Sequence, residues 1–322
     1  AQGALKDAVY SPLFLLLVIF YCRALEDGSK KNLIPLVILA LLCGATRKGG
    51  MYLSALILLC LACQKNLRRF AVISCLTLVA VHGVVNWAIY PAVGIESPDE
   101  KENYSFFYQL TGYYCSNHPD WVTEEEKRII SQVLDYDTVV TKYNSKVVDE
   151  IKSTYHAENA AQVRSYLLLQ GKLFLKHPLT MLEAAVYSRN WSFCPFAWEV
   201  EKYIGEVQIG FHDVLPQLSG FSRWLESDAY RRIESDLWEY ARYVRLFLVS
   251  GIYNWAALVL GLAAWYAGDR EKKRMVLPVL LALAGLLLTH VNGSVRYAGP
   301  VIYSVPALLL LMKCQTKKGT SR

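Results

Sequence analysis

Acidic residues are scarce over about half of this chain. Of its 28 Asp and Glu, 23 fall between Glu96 and Arg245, where only 16 of the 34 Lys and Arg are found. The rest of the 322 residues therefore carries five acids against 18 bases. A water-soluble surface mixes charges of both signs, so this bias argues against an ordinary soluble domain. Catalytic signatures are missing as well: there is no P-loop, GxGxxG, HExxH or nucleophile–His–acid arrangement, which disfavours soluble hydrolase and nucleotide chemistry. The eight cysteines form no paired CxxC and no Cys/His metal spacing. The single CxxC, Cys60 and Cys63, lies inside an apolar run and reads as small buried thiols. A pI near 8.8 does not imply nucleic acid, because the cations form short clusters between apolar runs rather than a basic, aromatic face. Repeats, low-complexity tracts and sustained strand alternation are also lacking.

What is present is hydrophobic. The composition is 54% apolar with a mean hydropathy of +0.22, above that of an average soluble domain. Residues 8–25 form a first run long enough to span a bilayer, with Arg23 placed to snorkel at its end. Two shorter runs, 33–45 and 51–63, flank Thr46-Arg47-Lys48-Gly49-Gly50. As helices each covers about 20 Å, short of the roughly 30 Å hydrocarbon core. They read as a hairpin whose tip lies below the membrane surface. Further spanning runs follow at 70–93, 246–268, 275–291 and 297–312.

The hydrophilic stretch 96–245 reads as helical. Thr123-Glu124-Glu125-Glu126 is a capping box opening a helix through about Leu134. Helical runs at 157–176 and 179–187 are broken at His177-Pro178. Residues 189–198 form an aromatic, turn-like stretch, and 222–245 suits an amphipathic helix lying on a membrane. The expected fold class is all-α: a polytopic helical membrane protein of about seven membrane segments, one short hairpin pair included, with a mostly helical extracytoplasmic insert. The domain boundaries are 1–95, 96–245 and 246–322.

About seven crossings place Arg23, Lys30, Lys31, Lys65, Arg68, Arg69, the 269–274 cluster and the C-terminal tail on one side. Lys6, Arg47, Lys48 and Arg296 fall on the other. The positive-inside rule then makes 96–245 extracytoplasmic in a multi-pass protein of the cell membrane. In that compartment Cys115 and Cys194 could pair, or both could stay free.

The exceptions to the rule are the candidates for chemistry. Arg47, Lys48 and Arg296 sit in short links on the outer side, where a cation normally has a partner or a function. Snorkelling to anionic headgroups is the plainer reading. The sharper one has both arginines facing a shared outward cavity and holding a phosphate in bidentate fashion, with Gly49 and Gly50 admitting close backbone approach. His290, Asn292, Arg296 and Tyr297 cluster at the outer ends of two adjacent spans. Glu96, Asp99, Glu100 and Glu102 read as a solvated run.

The segment TRKGGMY resembles the TR-x-x-G-x-Y hairpin of an uncharacterised family of bacterial multi-pass proteins placed with the GT-C glycosyltransferases. TEEEKRIISQVLDYDTVVTKYNSKVVDEIK is similar to that family's exported loop. HPLTMLEAAVYSRNWSFCP and VRYAGPVIYSVP resemble its later landmarks. The resemblance implies transfer of a sugar from a polyprenyl-phosphate carrier to a cell-envelope acceptor outside the bilayer. It places Arg47, Lys48, Arg296 and Tyr297 around the lipid phosphate, with His290 and Tyr52 as supporting groups. It also calls for a carboxylate near the acceptor hydroxyl, acting as base or holding a divalent metal, and leaves the cofactor unknown. That acid is expected upstream, on a longer protein of which this chain is the C-terminal portion. A lipid-linked polysaccharide ligase or polymerase is the enzymatic alternative. The non-enzymatic one is a transporter or flippase of the same carriers, which should show broken helices in matched halves.

Overall fold

A computed structural model describes residues 2–28, 30–94, 100–195, 227–228, 232, 249–287 and 295–320, without the side chains of 2–6, 30, 48, 295–296 and 314–320. Every regular element among these residues is helical. The chain divides into two compact units. One comprises Ala1–His82, Cys194–Leu283 and Val295–Arg322; the other comprises Gly83–Phe193 and Ala284–Ser294.

In the first unit, α1 (Gln2–Asp27) is an apolar run that ends where Gly28 enters the left-handed region at φ 61°. The Gly28 N–H returns to the Ala24 carbonyl at 3.0 Å and closes the last turn, a conformation glycine adopts without steric cost. Helices α2 (Lys30–Thr46) and α3 (Lys48–Cys60) meet at Arg47, which adopts extended backbone at φ −150°, ψ 130°. The link between the two short apolar runs is thus a single residue. Gly50 allows this tight junction, because a Cβ there would overlap the Cys43 carbonyl and the Tyr10 ring. The space beside Gly50 is therefore filled by protein, whereas Gly49 faces open space.

Helix α4 (Arg68–Val84) continues through a π turn at Val85–Ile89 into Tyr90–Ala92. Pro91 has no N–H to return to Trp87, so the ladder widens there instead of breaking. Three helices lie near the C-terminus: α12 (Ser250–Tyr266), α13 (Arg270–Leu287) and α14 (Val295–Thr320). The apolar part of α14, Tyr297–Lys313, matches the run read at 297–312, and the helix continues through the basic tail to Thr320. Helix α1 packs against both α2 and α14, and α14 also packs against α12. The Tyr21 hydroxyl donates to the Arg274 carbonyl at 3.2 Å, tying α1 to the start of α13. Segments Asp7–Asp27 and Arg68–Ala92 are long and apolar enough to cross a membrane; Lys31–Thr46, Gly49–Cys63 and Tyr297–Lys313 are shorter apolar helices.

The second unit is built on α5 (Ser105–Asn117). Around it stand α6 (Glu124–Ser131), α7 (Tyr136–Thr141), α8 (Asp149–Ser153), α9 (Ala160–Lys176) and α10 (Pro178–Tyr187), followed by the short α11 (Asn190–Phe193). Both halves of the capping box form: Glu126 N–H donates to Thr123 Oγ1 at 3.2 Å, and Thr123 N–H to Glu126 Oε2 at 2.9 Å. The helix ends at Ser131 rather than Leu134, because Asp135 caps the next one by accepting from Thr138 N–H. The break at His177-Pro178 stands where the X-Pro step places it. The core gathers Tyr108, Tyr114, Leu110, Ile130, Tyr166 and Leu173, all fully buried. Within it Thr111, Tyr166 and Gln170 form a hydrogen-bonded chain, at 2.7 and 3.0 Å. A buried polar group without partners would cost about 1–3 kcal/mol, so this chain makes the core specific rather than weak. The Cys115–Cys194 bond is not formed; both are free thiols, and Cys115 lies wholly inside this core. The amphipathic helix expected at 222–245 lies outside the described residues, save for 227, 228 and 232.

Candidate functional site

The N-terminal part of α1 and the α2–α3 junction share one charged group. Asp7 and Tyr10 are three residues apart on α1 and so project from one face. Arg47, extended between its two helices, turns its side chain onto that face. Its Nη1 stands 3.6 Å from Asp7 Oδ1, with side-chain exposures of 18% for Arg47 and 3% for Asp7. The guanidinium carbon lies 5.6 Å from the centre of the Tyr10 ring and 4.7 Å from that of Tyr297. Arg47, at the hairpin tip, is therefore flanked by two aromatic faces and a carboxylate, contributed by α1 and α14. Each face attracts the cation, by about 0.5–2 kcal/mol depending on desolvation. Together with the ion pair they offset part of the cost of taking both charges from water.

The close crossing of α1 and α14 positions Tyr297: a Cβ on Gly299 would overlap Ser11. Ser11, in turn, is held by its hydroxyl on the Asp7 carbonyl at 3.1 Å. On the hairpin side, the Arg47 N–H donates to Cys43 O at 3.2 Å and its carbonyl accepts from Gly50 N–H at 2.8 Å. Both ends of the junction are thereby fixed in backbone as well as side chain.

Of the residues singled out in the sequence, Arg47 and Tyr297 come together here. Arg296 precedes Tyr297 in the first turn of α14, but its side chain, like that of Lys48, lies outside the described atoms. His290 and Asn292 also lie outside the described residues. Tyr52 is 56% exposed. Asp7 and Tyr10 were not among the sequence candidates. One signal did mark Asp7: it is one of only five acids outside 96–245, and it stands at the head of an apolar run. Among the described residues, no three His, Cys, Asp or Glu side chains gather as a metal site would require.

The arrangement defines a helical protein with a guanidinium–carboxylate pair clamped between aromatic rings at helix ends. The chain belongs to a family of unknown function, DUF6020, whose model matches residues 5–322. No curated protein and no solved structure matches it.

Proposed function

We propose that this chain is a polytopic membrane enzyme of GT-C type, transferring a sugar from a polyprenyl-phosphate carrier to a cell-envelope acceptor on the extracytoplasmic face. The observation that carries the reading is the Asp7–Arg47 pair between Tyr10 and Tyr297. Sugar transfer from a lipid phosphate needs a cation for the departing phosphate and a carboxylate for the acceptor hydroxyl. Here both charges share one cluster, and Asp7 supplies the acid that the resemblance places elsewhere.

In this mechanism the acceptor oxygen attacks the anomeric carbon as the bond from that carbon to phosphate oxygen breaks. Asp7 receives the hydroxyl proton, and Arg47 neutralises the charge growing on the phosphate. Release of the Asp7 charge by protonation frees the guanidinium for the phosphate at that same moment.

Membrane embedding draws support from α4. Ile73, Leu76 and Val79 are 63%, 66% and 55% exposed on that helix, an apolar surface that water would penalise and acyl chains would satisfy.

The test uses the full chain in liposomes with a radiolabelled polyprenyl-phosphate hexose, reading release of polyprenyl phosphate. Asp7→Asn and Arg47→Lys are each expected to cut release tenfold or more, since loss of a contact to developing charge costs about 2–4 kcal/mol. A lysine cannot reproduce the planar fork. Wild-type release by both variants would refute the reading.

A further inference from the structure

The second unit carries a site of its own. A cleft of about 740 Å³ opens beside the C-terminal half of α5, within the size range of small-molecule sites. Three tyrosines form its walls. The Tyr113 and Tyr143 rings meet edge to face, centroids 6.2 Å apart and inclined by 87°. Tyr187 closes on Tyr113 at 5.7 Å and 56°. The three phenols therefore present ring faces in different directions rather than one stacked slab.

Tyr143 is built into this wall. A Cβ on Gly112 would overlap its ring and crowd Ile151, so the chain keeps a glycine where the tyrosine must seat. The Tyr143 hydroxyl is buried behind the cleft without a hydrogen-bond partner. It lies within electrostatic reach of Arg189, whose guanidinium donates to the Leu287 carbonyl at 2.9 Å and the Ser188 carbonyl at 2.6 Å.

The remaining lining chooses among ligand classes. Glu150 and Glu183 face the cleft against one cation, Lys142. A phosphate or polyuronate ligand would meet net negative charge there. An acyl chain would meet carboxylates and the amides of Asn117 and Asn144, which it cannot satisfy. A neutral pyranose suits both features, laying its C–H faces on tyrosine rings and its paired hydroxyls on carboxylate and amide groups. Burial, and then the nearby Glu183 carboxylate, push the Tyr113 phenol above its ordinary pKa, so that it stays a neutral O–H at the cleft.

We propose that this cleft binds a neutral saccharide chain, the acceptor class for the transfer proposed above. The inference rests on that reading only for the word acceptor; the binding stands or falls without turnover.

The experiment is ligand-observed NMR on the full chain in nanodiscs, with chitotriose, maltotriose and mannotriose as probes. Trigalacturonate and trilysine serve as the anionic and cationic controls. At least one neutral trisaccharide is expected to bind saturably, with affinity falling tenfold or more in Glu183→Gln and Tyr187→Ala. Both positions are solvent-exposed, so the fold survives the changes. Arg47→Lys is expected to leave this binding unchanged even where it abolishes transfer, which separates the two readings. The proposal is overturned if no neutral trisaccharide binds, if either control binds more tightly, or if both cleft variants bind as wild type does.

Discussion

Asp7 and Arg47 are 40 positions apart in the chain and 3.6 Å apart in the fold, on the buried side of an aromatic clamp. Removing one partner of a buried pair leaves the other charge uncompensated, at a cost of about 3–5 kcal/mol. Asp7→Asn should therefore lower the unfolding free energy of the full chain in nanodiscs by about 3 kcal/mol, read as a clearly lower unfolding midpoint. The paired change Asp7→Leu with Arg47→Met should recover most of that loss, since neither charge is then stranded. Equal midpoints for Asp7→Asn and wild type would show that the pair contributes nothing to stability.

Glu126 links the capping box to α9 through Lys176 Nζ at 3.1 Å. Burial alone would raise its carboxyl pKa, but the Thr123 backbone bond and Lys176 outweigh it and hold the carboxyl below its ordinary value. A depressed carboxylate stabilises the fold above its unfolded pKa, near 4, and loses that contribution as pH falls through the lower folded value. Glu126→Gln should destabilise the second unit by about 1–2 kcal/mol at pH 7. At pH 2 the gap should shrink. Urea unfolding followed by tyrosine and tryptophan fluorescence reads both; a gap independent of pH would remove the charge from the account.

Burial pushes the Cys115 thiol up to about 12. Almost no thiolate then exists at pH 8, and thiolate is the reactive form. Maleimide at pH 8 should label the exposed Cys63 and leave Cys115 intact until denaturant is added, as read by peptide mass spectrometry. A Cys115–Cys194 peptide in an unreduced digest would contradict the free thiols of the structure.

The proposed orientation rests on the charge clusters. In a cysteine-free background, Glu158→Cys should react with an impermeant maleimide on intact cells, and Arg270→Cys should react only after lysis. The reverse pattern would invert the proposed topology and remove the extracytoplasmic site with it.

The helices were legible in the sequence because their signals are local. Thr123 and Glu126 are three residues apart, so one turn of backbone suffices to join them; Pro178 disfavours α-helix at its predecessor, and His177 leaves the helical region. The helix limit at Ser131 was less legible, since a competing cap at Asp135 depends on small local differences. Arg47 and Tyr297 stood out in the sequence by residue type and place. Their meeting did not, because no local rule brings residue 47 to residue 297. Asp7 and Tyr10 joined them only when α1, the hairpin and α14 packed together, with Gly50 and Gly299 removing the methyl groups that would hold those backbones apart. The tyrosine cleft arose in the same way: Tyr113, Tyr143 and Tyr187 come from three separate segments that converge on the face of α5. Local backbone chemistry thus settled which segments are helical, while the exclusion of side chains from shared space decided which charges and rings meet.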